Sequence, residues 1–369
     1  MPYDFSSQQT RARDAVAHWF KHDTGKKQIF RLFGYAGTGK TTLAQHLAED
    51  VEGEVLYAAF TGKAAMVMHE NGCDGASTIH RLIYERRKMP NGGTEFRLSP
   101  RSPATDAALI ILDECSMVGK PIARDLMSFK TPILVLGDPG QLPPIDGEGY
   151  FMSSRPDVML TEVHRQAKDS PILRLATEVR EGRMPTTGNY GDCRVITDDD
   201  CDMADLLAAD QVLAYRNVTC HRLNDWIRDE LGYTTDLPGL DDRLLCLRND
   251  YDIEVFNGET FRVTSLPRAS KYFETVSMRV VRDNCGQADD VRIKVHPRFF
   301  TNEQKSLTEQ QKRESHWFGY GYAMTVHKSQ GSQWDNVLIF NETRASKREP
   351  WKWLYTAITR AKERLTLVI

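Results

Sequence analysis

Three short stretches in the first half of the chain carry residue types suited to phosphate chemistry. Gly34-Tyr35-Ala36-Gly37-Thr38-Gly39-Lys40-Thr41 fits the spacing G-x-x-x-x-G-K-[ST]. Glycines at those intervals let the backbone curl until its N–H groups converge on phosphate oxygens. Lys40 would then reach the β- and γ-phosphates of a nucleotide, and the Thr41 hydroxyl would bind Mg²⁺. Asp113-Glu114 sets two carboxylates after an apolar run, where burial without a use is costly. Asp113 suits a magnesium ion held through water. Glu114 suits orienting or deprotonating an attacking water. Taken alone, the pair reads better as a helix cap with an acid in the first turn; beside the glycine-rich stretch the catalytic reading gains. In Gly137-Asp138-Pro139-Gly140-Gln141, turn chemistry accounts for the glycines and the proline but not for Gln141, whose amide suits a γ-phosphate or the attacking water.

These residues need elements to hold them. Residues 28–33 (QIFRLF) form a predicted strand that runs into the glycine-rich turn, and 41–48 continue as an amphipathic helix. Residues 54–60 are a second strand. Residues 107–112 (AALIIL) and 132–136 (PILVL) are nearly all apolar, as expected of strands buried on both faces of a parallel sheet. The alternation argues for βαβ units, with ligand contacts at the C-terminal edge of the sheet. Over 86–103 the pattern breaks: Asn91-Gly92-Gly93 signals a turn and 94–98 one arm of a hairpin. A helix over 170–183, a strand over 212–215 and a helix over 219–231 follow. From 236 to 318 short alternating segments (LLCLR, IEVF, ETFRVTSL, ETVSMRVV, VRIKVH), split by turns such as Asn257-Gly258, predict a small β-barrel. Residues 320–326 and 337–340 return to α/β alternation, and 365–369 close as a strand. The chain contains no internal repeat or low-complexity tract.

A length of 369 residues suits two or three domains. The hydrophobic fraction of 40% supports ordinary cores, and a formal net charge of −3 excludes a basic-tail nucleic-acid binder. Any nucleic acid must be met by a local patch or channel. The seven cysteines form no C-x-x-C pair and no His cluster has zinc spacing. With no signal-peptide core and no membrane-length apolar run, a soluble, cytoplasmic protein is expected.

Two stretches of the second half are too specific together for generic α/β structure: Tyr322-Ala-Met-Thr325-Val-His327-Lys328-Ser-Gln330-Gly331 and Tyr355-Thr-Ala-Ile-Thr359-Arg360-Ala-Lys362. With them the chain resembles the superfamily 1B DNA helicases, the RecD-like and Dda-like group, over nearly its whole length. Phe5-Ser-Ser-Gln-Gln9 resembles the Q motif, whose glutamine reads the adenine edge. Gly34 to Thr42 is similar to motif I, Thr61-Gly-Lys63-Ala-Ala to motif Ia, and Ser77-Thr-Ile-His80 to the DNA-contact motif that follows it. Asp113 to Met117 resembles motif II and Gly137 to Pro144 motif III. Leu160 to Gln166 resembles motif IV, whose arginine, here Arg165, contacts the γ-phosphate. The two late stretches resemble motifs V and VI, and Val255-Phe-Asn-Gly258 the start of an SH3-like insertion.

The resemblance implies two RecA-like parallel-sheet domains in tandem. The first would span 1–85 and 104–175, with a hairpin-like insertion over 86–103. The second would span 176–235 and 319–369, with an SH3-like β-barrel over 236–318. It implies ATP and Mg²⁺ as cofactors and 5′→3′ unwinding, or alternatively a DNA-stimulated translocase that remodels nucleoprotein. Nucleotide would be held by Gln9, Gly37, Thr38, Gly39, Lys40, Thr41, Thr42, Gln141, Arg165, Gly331 and Arg360, with Thr41 and Asp113 serving the metal. Lys40, Glu114, Gln141, Arg165 and Arg360 would be catalytic. Arg360 stands where an arginine finger from the second domain would reach phosphate held by the first, an effect worth about a thousandfold or more in rate. Single-stranded and forked DNA are the implied partners, with Thr61, Lys63, His80, Thr325, His327 and Lys328 contacting the strand. A single-strand-binding or replication protein is a further candidate partner, and a monomer is expected. Phe96 on the hairpin is a candidate separation wedge: each pair step costs about 1–2 kcal/mol to open, and one aromatic stack is of similar size.

Overall fold

The computed structural model describes residues 5–88, 94–144, 147, 149–163, 169–270, 274–283, 290–346 and 348–369. The chain divides into two compact units, Met1–Arg174 and Leu175–Ile369. Among the described residues no helix is long and apolar enough to cross a membrane.

The first unit is built on one parallel sheet. Its elements run α1 (Ser7–His22), β1 (Ile29–Gly34), α2 (Lys40–Glu49), β2 (Val55–Ala59), α3 (Gly62–Glu70), β3 (Ser77–Thr78), α4 (Ile79–Ile83), β4 (Tyr84–Lys88), β5 (Thr94–Leu98), β6 (Leu109–Asp113), α5 (Lys120–Met127), β7 (Ile133–Gly137) and β8 (Val158–Leu160). The sheet order is β3-β2-β6-β7-β1-β8, and every pairing in it is parallel. The apolar runs explain why. Leu109 and Ile111 of β6 pack into one core with Leu32 of β1, Leu134 of β7 and the helices α1, α2 and α3. Ile110 and Leu112 point the other way, into a second core with Phe33, Val135, α4 and α5. A strand covered on both faces has no polar side to spare. Each such fully buried Leu or Ile contributes about 1.5–3 kcal/mol.

Strands β4 and β5 stand off this sheet as an antiparallel hairpin, with Tyr84 opposite Leu98 and Arg86 opposite Phe96. Its first strand starts at Tyr84, two residues before the expected insertion begins. The Asn91-Gly92-Gly93 turn lies outside the described residues. The hairpin base is anchored: the Tyr84 hydroxyl donates to the Asp125 carboxylate on α5, and Ser99 N–H donates to Ile83 O at 2.8 Å.

The second unit runs α6 (Pro171–Arg180, which begins in the first unit), β9 (Gly188–Tyr190), β10 (Cys193–Ile196), α7 (Met203–Ala208), β11 (Gln211–Ala214), α8 (Asn217–Glu230), β12 (Arg243–Cys246), β13 (Thr260–Val263), β14 (Arg268–Ala269), β15 (Val276–Arg282), β16 (Val291–Val295), α9 (Glu309–Arg313), β17 (Phe318–Tyr320), β18 (Ala323–Thr325), α10 (Val326–Ser329), β19 (Trp334–Phe340), α11 (Pro350–Ile358) and β20 (Ala361–Val368). One sheet has the order β18-β11-β19-β20-β10-β9 and is parallel except at β9. The other is antiparallel, β14-β15-β13-β12-β17, with β16 also on β15.

Three expectations need correction here. The segment IEVF is not a strand: Val255 pairs only with Asp250, in an isolated bridge that closes a turn. The final strand starts at Ala361, directly after Arg360, rather than at 365. The helix over 170–183 is shorter, Pro171–Arg180.

The antiparallel sheet is tied to its parent by a buried ion pair. Arg228 on α8 donates through Nε to Asp242 Oδ2 at 3.0 Å, and its guanidinium lies 3.9 Å from the Tyr320 ring centroid. Tyr322 donates its hydroxyl to Asp242 Oδ1 at 3.0 Å. Asp242 is 0% exposed and Arg228 6%. One guanidinium therefore holds both the outgoing and the returning chain.

Candidate nucleotide site and nucleic-acid interface

Sheet order brings the three phosphate-type stretches together. Strands β6, β7 and β1 are neighbours and parallel, so Asp113, Gly137 and Gly34 end side by side at one edge. The loop after β1 curls left-handed at Gly37 (φ 75°) and Gly39 (φ 74°). At Gly37 a Cβ would lie 2.4 Å from Leu173 Cδ1, the movable tip of a side chain, so it is the left-handed backbone that favours glycine there. Lys40 Nζ donates to Gly34 O at 2.7 Å and Tyr35 O at 3.1 Å. Thr38 is buried and donates its hydroxyl to Tyr35 O at 2.8 Å. Thr42 sits in the first turn of α2.

Thr41 Oγ1 donates to Asp113 Oδ2 at 2.8 Å. The other Asp113 oxygen accepts the Glu114 N–H at 2.7 Å. Glu114 itself is left-handed, φ 51° and ψ 41°, a conformation that costs a non-glycine residue about 1–3 kcal/mol and concentrates at functional sites. Hydroxyl and carboxylate oxygens are a hard donor set of the kind Mg²⁺ takes, and the curled loop at a helix start suits phosphate. Gln141 donates its N–H to Asp138 O at 3.1 Å. Its side-chain Oε1 is buried without a donor among the described residues, an orphaned acceptor of the sort a water can satisfy. Arg165 lies outside the described residues.

Gln9 is 2% exposed and both ends of its amide are engaged. Oε1 accepts from Ser6 N–H at 2.9 Å, and Nε2 donates to Thr38 O at 3.1 Å. In this structure it ties α1 to the glycine-rich loop. Its neighbour Gln8, which sequence reasoning passed over, accepts from Thr161 and Glu162 N–H at 2.8 and 3.0 Å. The doubled glutamine was the available signal.

In the second unit, the two late motifs are stitched to each other. Arg360 is 3% exposed. Its Nε donates to Thr356 O at 3.0 Å, Nη1 to Ser332 O at 3.2 Å and Nη2 to Thr359 Oγ1 at 3.2 Å. Gln333 Nε2 donates to Thr359 O at 3.1 Å. Gly331 is left-handed at φ 77°, turning the chain from α10 toward β19. The guanidinium is thus held by the segments on both sides of the β19–β20 pairing.

With this geometry in hand, comparison with known proteins is decisive. A family model for the AAA domain matches residues 6–198, and one for a UvrD-like helicase C-terminal domain matches 320–368. The chain belongs to the superfamily 1B, RecD-like helicases. It is 30% identical over 367 residues to the ATP-dependent RecD2 DNA helicase of Deinococcus radiodurans, a match covering 90% of this chain and 46% of that protein. The chain therefore spans about half the length of that curated relative. A structure addressing DNA unwinding at forked double-stranded DNA by two coordinating Pif1 helicases superposes with a TM-score of 0.60 at 19% identity, covering 99% and 92% of the two chains. Bacteroides Pif1 bound to single-stranded DNA gives 0.58 at 19%, with the same coverage. At that identity the structures establish a shared fold.

The strand-contact candidates of this RecD-like chain fall into two groups. In the first unit, Thr61 caps α3, its hydroxyl accepting from Ala64 N–H at 3.1 Å, and Lys63 is half-buried in the first turn. His80 on α4 lies against Phe60, Tyr84 and Phe96, with ring centroids 6.4, 5.5 and 6.2 Å away. Burial lowers its pKa. Phe96 is 36% exposed. In the second unit, Thr325 is buried at the end of β18. His327 lies 6.4 Å from the Tyr215 ring, and burial lowers the pKa of both His327 and Lys328. A residue that no sequence signal marked organises this corner: Glu342 accepts from the N–H groups of Tyr215 and Arg216 at 2.9 Å each and from the Thr219 hydroxyl at 2.7 Å.

Proposed function

We propose that the chain is an ATP-dependent 5′→3′ DNA helicase that moves along single-stranded DNA and opens forked duplex. The observation that carries the reading is the Thr41–Asp113 hydrogen bond of 2.8 Å, beside a left-handed Glu114 and the orphaned Gln141 Oε1. Thr41 and Asp113 would hold Mg²⁺, which supplies charge neutralisation at the phosphates when bound. The curled loop and Lys40 bind the triphosphate. Glu114 takes the proton of the attacking water and Gln141 orients that water. Arg360 and Arg165 stabilise charge on the γ-phosphate in the transition state.

In domain terms we read 1–85 with 104–175 and 176–235 with 319–369 as the two RecA-like halves. The hairpin is then the strand-separation element and 236–318 an SH3-like barrel, a reading supported by the antiparallel pairing of β12 to β16 within it. The strand-contact candidates grip phosphates and stacked bases with little sequence preference.

The test has two parts. Phosphate release is measured with and without single-stranded DNA, and unwinding is measured on duplexes with a 5′ or a 3′ tail. DNA-stimulated hydrolysis with opening only of the 5′-tailed fork is expected. Indifference of hydrolysis to DNA sinks the motor reading. Stimulation without opening of either fork leaves the remodelling translocase in its place.

A further inference from the structure

The turn Asn257-Gly258, between β12 and β13 of the antiparallel sheet, meets α10 backbone to backbone. Gly258 is left-handed at φ 91°, and a Cβ built there would lie 2.6 Å from the Lys328 carbonyl oxygen. The turn cannot retreat easily, because it is fixed from behind. Gly258 N–H donates to Cys246 O at 2.9 Å and Cys246 N–H to Glu259 O at 2.9 Å. Phe256 N–H donates to Glu259 Oε2 at 2.9 Å, and Asn257 N–H to Asn249 Oδ1 at 2.7 Å. Against this braced turn stands α10, a single helical turn of four residues, Val326–Ser329.

We propose that Gly258 is a positioning residue for α10: by approaching Lys328 without a side chain, it sets where His327 and Lys328 are presented to a nucleic-acid strand. The antiparallel sheet would then act on the strand grip through one backbone contact, in addition to any DNA contact of its own. The inference rests on the reading of α10 as a strand-contacting segment.

A built-in control exists. Gly232 is also left-handed, φ 82°, but a Cβ there meets nothing within 4 Å. Alanine at Gly232 therefore carries the backbone penalty alone, whereas alanine at Gly258 carries the penalty and the clash. The readout is the oligo-dT concentration giving half-maximal stimulation of ATP hydrolysis by the full chain. Gly258→Ala is expected to raise it about tenfold and Gly232→Ala to leave it within about twofold, with DNA-free hydrolysis of both within about twofold of wild type. Asn249→Ala, which loosens the turn without adding atoms against Lys328, should shift it in the same direction by about threefold. Wild-type protein that responds to DNA, paired with a folded Gly258→Ala that responds identically, overturns the proposal. If Gly258→Ala does not fold, Asn249→Ala decides, and no shift there overturns it. Wild-type hydrolysis indifferent to DNA overturns instead the strand-contacting reading on which it stands.

Discussion

The two units hold their candidate residues by opposite means. In the first unit, side chains pair with side chains at strand ends, as Thr41 does with Asp113, and the backbone around them is left-handed at Gly37, Gly39 and Glu114. In the second unit, one guanidinium is nearly enclosed and its donors are turned on backbone carbonyls, Thr356 O and Ser332 O. The difference suits the proposed roles. A site that must cradle a polyanion needs converging N–H groups and an ammonium, which a curled loop at a helix start supplies. A side chain that must deliver charge needs to be kept in shape until it is used, and hydrogen bonds to its own element offset the cost of burying it.

The comparison can be broken from the second side first. Arg360→Ala should lower kcat for DNA-stimulated hydrolysis about a thousandfold. Arg360→Lys should not rescue it, because one ammonium cannot serve two carbonyls and a hydroxyl in a planar fork. A loss under about tenfold, accompanied by a marked fall in melting temperature, would make Arg360 a structural residue and erase the contrast. Lys40→Ala should cost about a hundredfold or more in kcat/KM for ATP, with little change in melting temperature; steady-state phosphate release and a thermal melt report both. The hairpin belongs to the first unit but is expected to serve a different step. Phe96→Ala should slow unwinding of a forked duplex about tenfold while stimulated hydrolysis stays unchanged, and equal loss of both activities would tie the hairpin to the nucleotide half instead.

The smallest effect is shared by the two units. His80 and His327 both have pKa values lowered below 6.5 by burial. A lowered value means that the unfolded chain binds the proton more readily. The stability involved is therefore full at pH 7 and is lost as pH falls from about 6.5 through the lowered folded-state values. Melting temperature should decline over that window. His80→Gln and His327→Gln should each flatten the decline, which a pH series of thermal melts would resolve.

The legible parts of this molecule were those where one residue type has few alternatives. Runs such as Leu109 to Leu112 admit only a strand covered on both faces, and Gly37, Gly39 and Lys40 admit few readings beside a phosphate loop. What stayed hidden depended on long-range partners that carry no residue signature. Carbonyl oxygens hold Arg360, and any sequence supplies carbonyls. The alternation in Ile253-Glu-Val-Phe256 suggests a strand, but Asp250 and Val255 close a turn across it. Glu342 was invisible because its role depends on where Tyr215, Arg216 and Thr219 arrive in space.

The enclosed Arg228–Asp242 pair has a mechanical corollary. Because a single charged clasp spans the exit and the re-entry of the chain, the antiparallel sheet lacks a private hinge, and bending at either crossing would strand an unpaired ion away from water. The second unit should accordingly melt in one cooperative step and yield no separate fragment of 236–318 to limited proteolysis, whereas Asp242→Leu, which leaves the guanidinium without its carboxylate, should split that transition in two.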